Sequence, residues 1–225
     1  MQLTSLGGPG ACCSRWSPDG RRLMFVSYRE GLAHLYLINA SGGTPQRVTN
    51  GPHNHSTPSW SRDGQWIYFQ SDRSGQFQIW KMPAKGGEAV QVTQDGGRLA
   101  LESMDGRYLY YTKGGTLASD SASLWRTSGP GGEERQILDG LAGFNSFEVA
   151  EEGIYFLLLR TADNAGGSIE FFHFASGKSQ QIAAIDRPFG GGISVLLGPR
   201  GRVIEILYTQ VDHEGSDLML VENFR

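Results

Sequence analysis

Most of the features that announce a specific chemistry are missing from this sequence. Of its 225 residues only two are cysteine, and they are neighbours, Cys12 and Cys13. Adjacent strand residues point to opposite faces, so a disulfide between them needs a distorted peptide. The pair therefore reads as two plain thiols, buried or half-buried. Charged residues make up only 19% and the formal net charge is −3. That leaves no basic face of the kind nucleic acid requires, and no nucleic-acid partner is expected through this domain. No stretch approaches the ~20 apolar residues of a membrane helix, so no membrane segment is expected in this chain. The opening "MQLTSLGGPG" has neither a basic region nor an apolar core and is not read as a signal peptide. The chain is expected to be soluble, either periplasmic or cytoplasmic. Helical spacing is absent throughout, and no glycine loop precedes a helix, which excludes phosphate cradles and dinucleotide fingerprints. No Gly-x-Ser-x-Gly elbow occurs. Ser194, in "GGGIS", follows glycines and reads as the beginning of an inner strand. No cofactor or catalytic residue is expected.

What the chain does have is glycine and repetition. Its 32 glycines are spread along the whole length, as many tight turns require. "WSPDGRRLMFVSYREG" from Trp16 returns as "WSRDGQWIYFQSDRSG" from Trp60, 44 residues later. A period of ~40–50 residues is the signature of a propeller or solenoid. The turn and its apolar run come back as "SMDGRYLYY" at Ser103, shortened as "AEEGIYFLL" at Ala150, and lengthened as "GPRGRVIEILY" at Gly198. Asp-Gly is a hairpin signal because Gly accepts positive φ and Asp can bond the turn amides. Asp19 and Asp63 are therefore read as turn residues, not catalytic carboxylates.

Two further landmarks keep the same period. A glycine leads to an aliphatic residue five positions on, at Val48, Val92, Ile137 and Ile182. Between landmarks lie "HLYLI", "QIWKM", "SLWRT", "IEFFHF" and "DLMLV". Each repeat thus holds four short strands, and the runs lack clean in/out alternation, as in sheets covered on both faces. Four antiparallel strands per ~45 residues make one propeller blade. The chain is read as all-β: a single β-propeller domain over 1–225, of about five four-stranded antiparallel blades near 6–50, 51–95, 96–139, 140–184 and 185–225. The last repeat lacks its outer strand, while Gln2 to Ser5 supplies a spare one. Pairing of Gln2–Ser5 with Leu218–Val221 would close the ring as a clasp; the alternative is an open arc of a larger propeller. Trp16 and Trp60 are expected at equivalent packing sites between blades.

"WSPDGRRLMFVSYREG…HLYLINASGGTPQRVT" resembles the Pro-Asp-type propeller repeat of TolB-like proteins, also found in the propeller domains of tricorn protease and prolyl-oligopeptidase-type peptidases. Repeats one and two match over their whole length. Repeat three has lost the Trp-Ser before its turn, and repeat five carries Pro199-Arg200-Gly201 where Pro-Asp-Gly is expected. The C-terminal stretch resembles the propeller end of bacterial winged-helix regulators, which are much longer chains. The resemblance implies a non-catalytic scaffold that binds a protein or peptide, as the sensor or interaction part of a larger bacterial regulator. Its rivals are a gating domain of a peptidase and a small-ligand-binding propeller.

In a propeller, the loops between blades share one face with the loops joining second and third strands. That face gathers Tyr28, Arg29, His53, His55, Asp72, Arg73, Lys113, Asp163, Asp212 and His213, a mixed set suited to docking a protein. Arg29 and Arg73 occupy one repeat position in Ser-x-Arg-x-Gly, which points to a repeated side-chain to backbone bond. His53 and His55 alternate in "PHNHS", but two imidazoles lack the third ligand of a metal site. Glu133-Glu134 and Glu151-Glu152 read as solvated turn residues.

Overall fold

The computed structural model describes residues 10–116, 120–159, 166–198, 203–212 and 215–221. Every regular element among them is a strand. Repeat one forms β1 (Ala11–Trp16), β2 (Arg22–Ser27), β3 (His34–Asn39) and β4 (Gln46–Arg47), hydrogen-bonded in that order. Repeat two gives β5 (His55–Trp60), β6 (Trp66–Ser71), β7 (Gln78–Pro83) and β8 (Val90–Gln91) in the same order. Repeat three supplies β9 (Ala100–Glu102), β10 (Leu109–Gly114), β11 (Ser121–Thr127) and β12 (Arg135–Ala142). Repeat four supplies β13 (Phe147–Val149), β14 (Gly153–Leu159), β15 (Gly167–His173) and β16 (Lys178–Ile185). Repeat five supplies β17 (Phe189–Leu197), β18 (Val203–Asp212) and β19 (Gly215–Val221). The recorded pairings are antiparallel, as expected of hairpins joined by short turns.

The turn chemistry read from the sequence is present in detail. Ser17 Oγ donates to Asp19 Oδ1 at 2.6 Å, and Asp19 accepts Arg21 N–H at 3.1 Å. Ser61 and Asp63 repeat this at 2.6 Å, with Gln65 N–H at 2.9 Å. Ser103 and Asp105 keep the first of these bonds at 2.7 Å. Gly20, Gly64 and Gly106 hold φ of 67°, 69° and 71°, a region that strains any residue with a Cβ. Bonding to the Ser hydroxyls and neighbouring amides keeps the Asp19 and Asp63 carboxyls below the ordinary carboxylate range.

By internal packing the chain divides into two compact units. The first holds residues 10–102, 106–111 and 127–134; the second holds 103–105, 112–126 and the described residues from 135 on. In the first unit, β5 lies against β1, β2 and β3, and β9 against β5 and β6. Met24, Val26, Leu35, Trp60, Ile67, Phe69 and Met82 form the core between these two sheets. In the second, Tyr155, Leu157, Ile169, Phe171, Phe189, Ile193 and Ile206 form another.

Two expectations about burial need correction. Trp60 is 8% exposed, but Trp16 is 53% exposed. The Trp60 indole is housed by repeat one: Nε1 donates to Arg15 O at 3.2 Å and the Arg22 guanidinium lies 4.9 Å above the ring. Among the described residues, no repeat precedes β1 to do the same for Trp16. Cys12 and Cys13 are likewise exposed, not buried or half-buried. Gln2 to Ser5 and Pro199-Arg200-Gly201 lie outside the described residues. Met219, opposite Tyr208, marks where a closing strand would have to meet β19.

Candidate functional site

The loop before β5 and the turn between β6 and β7 meet in the first unit. Asn54 fastens them. Its backbone N–H donates to Asp72 Oδ1 and its Nδ2 to Asp72 Oδ2, both at 2.9 Å. Its own Oδ1 accepts Ala33 N–H at 3.2 Å, tying repeat one to repeat two. Burial alone would raise the Asp72 pKa, but the two Asn54 bonds outweigh it and the carboxyl titrates below its ordinary value. His53 Nδ1 stands 3.8 Å from the same carboxylate. Asp72 is thus committed within the chain, and its work is to hold the loop.

His55, at the start of β5, is fully buried. Its ring lies 5.5 Å from His34 and 5.6 Å from Phe69. Nε2 is 3.2 Å from Asn50 O. A carbonyl can only accept, so Nε2 carries the proton and Nδ1 is left as an acceptor with no partner among the described residues. Removal from water, then the positive charge of Arg73, pulls the His55 pKa down to about 4. The imidazole is neutral at pH 7. His53 and His55 therefore point to different environments and do not begin a metal site.

Arg73 folds back over the same sheet face. Its guanidinium sits 4.7 Å above Trp80 and 5.7 Å from Phe69. Phe69 and Trp80 are directly opposite each other on β6 and β7, which puts both rings on one face. Arg73 Nε and Trp80 Nε1 have no hydrogen-bond partner among the described residues. The repeated bond expected of the two arginines exists, but the serine side chain makes it. Ser71 Oγ accepts Arg73 N–H at 3.3 Å, and Ser27 Oγ accepts Arg29 N–H at 3.4 Å. The guanidinium of Arg73 is left over.

The remaining candidates fall elsewhere. Tyr28 and Arg29 are exposed in the turn between β2 and β3, where Tyr28 adjoins the Cys12 thiol. Lys113, in the second unit, covers the Trp125 ring at 4.0 Å. Asp212 ends β18, with its side chain outside the description; Asp163 and His213 lie outside the described residues. Ser194 sits in mid-strand in β17, opposite Leu207, not on a nucleophile elbow. Glu151 and Glu152 are exposed turn residues, whereas Glu134 is not merely solvated. It accepts Gln94 N–H and the Tyr111 hydroxyl, each at 2.7 Å.

Sequence reasoning passed over Asn54, His34 and Trp80. Asn54 and Asp72 carried a signal: their counterparts one period away are Arg98 and Tyr28. Where two side chains depart together from a repeat, a contact outside the repeat's pattern is one reason. The resulting arrangement combines a cation stacked on aromatics, an indole N–H and an imidazole acceptor. The Trp80 and His55 nitrogens are buried, so what this face offers a ligand is the partly exposed Arg73. No group of three or more His, Cys, Asp and Glu able to hold a metal occurs among the described residues.

A family model for the TolB beta propeller domain matches residues 6–165. The chain belongs to this TolB-type propeller family. TolB from Acinetobacter baumannii superposes with a TM-score of 0.74 at 18% identity, over 95% of this chain and 52% of that one. A puromycin hydrolase gives 0.63 at 17% identity, over 94% of this chain and 36% of that one. These likenesses establish the fold, a β-propeller of antiparallel blades. In sequence, the uncharacterized peptidase YuxL of Bacillus subtilis strain 168 is 49% identical over 45 residues, 20% of this chain and 7% of that protein. The chain spans about half the length of the TolB structure and a small part of the peptidase. No helix among the described residues is long and apolar enough to cross a membrane.

Proposed function

We propose that this TolB-type propeller is a non-catalytic docking scaffold whose Arg73 face receives a protein or peptide segment carrying a carboxylate. The observation that carries the reading is the Arg73 guanidinium. It is half-buried and stacked on Trp80 and Phe69, and its Nε has no hydrogen-bond partner among the described residues. A partly desolvated cation gains most from a charge-assisted, bidentate partner. Such a scaffold suits the interaction part of a larger bacterial regulator.

A displayed library of random peptides is the direct test. The wild-type chain is expected to enrich peptides with Asp, Glu or a free C-terminus. Arg73→Gln is expected to lose that enrichment, while Lys178→Ala, in the second unit, keeps it. Equal enrichment by wild type and Arg73→Gln would refute the site, and hydrolysis of the recovered peptides would refute a non-catalytic role.

A second reading, the gating domain of a prolyl-oligopeptidase-type peptidase, draws on the 45-residue likeness to the Bacillus peptidase. A hydrolase domain encoded in the same reading frame would favour it over the regulator. A binding site for a small ligand would instead show as a ligand-dependent rise in the melting midpoint.

A further inference from the structure

We propose that Cys12 and Cys13 are a vicinal dithiol, held ready by the fold, that closes reversibly to a disulfide by exchange with small-molecule disulfides. In a regular strand the two side chains would diverge to opposite faces. Here β1 is not regular. Its register with β2 jumps from Cys12 opposite Val26 to Arg15 opposite Met24, so two residues of β1 face one of β2. Such a bulge turns adjacent side chains toward one another's side of the sheet. Cys13 sits in it with φ of 59°. The two sulfurs lie 2.8 Å apart, and both residues are exposed.

Repeat two shows where the distortion comes from. Its inner strand jumps register at the equivalent place, from Ser56 opposite Gln70 to Ser59 opposite Tyr68. Thr57, 44 residues after Cys13, has φ of 45°. Cys13 and Thr57 are the non-glycine residues with positive φ among the described residues. A threonine adopts this backbone with no sulfur to draw it there. The bulge is therefore a property of the repeat, and the thiols inherit a geometry that a flat strand would deny them. The strain that ordinarily forbids adjacent cysteines from meeting is already part of the fold.

The chemistry balances without another protein group. One thiolate attacks a sulfur of a disulfide RSSR, forming a mixed disulfide and releasing RS⁻. The second thiol, giving up its proton to solvent, attacks the protein sulfur of that mixed disulfide and displaces the other RS⁻. The protein loses two hydrogens and two electrons, and RSSR becomes two RSH. Adjacent Cα atoms are about 3.8 Å apart, short of the ~4.4–6.8 Å that disulfides usually span. The closed bond is thus strained and readily reduced, as regulatory disulfides are and structural ones are not. Tyr28, against the Cys12 thiol, would sense the change. The inference does not depend on the docking reading.

The test is intact-mass analysis of the full chain after dilute exposure to oxidised glutathione. The chain is expected to lose the mass of two hydrogens and both titratable thiols, and to regain them with dithiothreitol. Cys13→Ser should instead carry one stable glutathione. Phenylarsine oxide, which bridges paired thiols, should protect the wild type from oxidation and leave Cys13→Ser unprotected. Closure should be faster in the native chain than in urea. Persistent glutathionylation of the wild type, disulfide-linked dimers, or equal closure rates in native and unfolded chains would each overturn the proposal.

Discussion

In repeats one and two the outer strands, β4 and β8, are two residues long; in repeats three and four the outer strands, β12 and β16, are eight. The short ones end at Val-Thr. Val48 N–H donates to Leu35 O at 2.8 Å, and then the Thr49 hydroxyl accepts Leu35 N–H at 3.0 Å. Val92 and Thr93 do the same for Ile79, at 2.8 and 2.9 Å. One hydroxyl takes the place of a ladder rung and the chain is free to leave. Leu138 and Ala183 stand where the threonines were, and neither has an oxygen to offer. Backbone pairing continues instead, Leu138 opposite Leu124 and Ala183 opposite Ile169. A buried amide must be met by something. The side chain at one position decides whether a residue or a strand meets it.

The sharpest way to break this comparison is to damage one unit and watch the other. Trp60→Ala removes the indole from the core shared by repeats one and two, at a cost of roughly 3–5 kcal/mol. Hydrogen exchange is expected to lose protection over residues 22–91 well before 147–208. Trp16→Ala, at an exposed site, should change stability by under about 0.5 kcal/mol.

Acid should pick out the same unit. His55 is neutral in the fold, with a pKa of about 4, while the unfolded imidazole titrates near 6.5. Its contribution is whole above pH 6.5 and is lost as pH falls from 6.5 to 4, to a ceiling of about 3 kcal/mol. Urea midpoints measured across that window should fall in the wild type and fall less in His55→Gln. An unchanged slope in that variant would place the acid sensitivity elsewhere.

The hydroxyl rung is a finer matter. Thr93→Val keeps the shape, strands the Ile79 amide and removes one of two donors to Gln78 Oε1, at 2.7 Å, leaving Gly96 N–H at 3.0 Å. A loss of about 1–3 kcal/mol is expected from urea unfolding. No loss would mean that β8 can lengthen as β12 does. Smallest of all, Asp63→Asn should cost under about 1 kcal/mol. Glu151→Gln, in a turn of repeat four that has no such serine–aspartate bond, should be neutral within about 0.5 kcal/mol by thermal melting.

Much of this fold was legible because its turns are local. Asp-Gly with a serine two residues before the aspartate specifies its own hydrogen bonds, and the apolar runs that follow became β2, β6 and β10. Burial was less legible, because it depends on what a neighbour supplies. Trp16 and Trp60 are written alike, but repeat one houses only Trp60. Arg29 and Arg73 are written alike too, and only Arg73 lies over a tryptophan. Blade topology assigned His53, His55, Asp72 and Arg73 to one loop face, but His55 is buried at the start of β5. The Asn54 clamp did not follow from the repeat, since Asn54 and Asp72 break the period and show only as a departure from it. Cys12 and Cys13 were misjudged because strand alternation was assumed across a bulge that leaves no mark in composition.

The pocket around Trp60 has a direction in time. Arg15 and Arg22, which meet the indole, and Met24, Val26 and Leu35 of the same core precede it in the chain, while Ile67, Phe69, Met82 and Ala84 follow. A ribosome delivers the preceding ones first, at about 5–20 residues per second. When Trp60 emerges, one side of its shelter has already been made, and β6 and β7 complete the other.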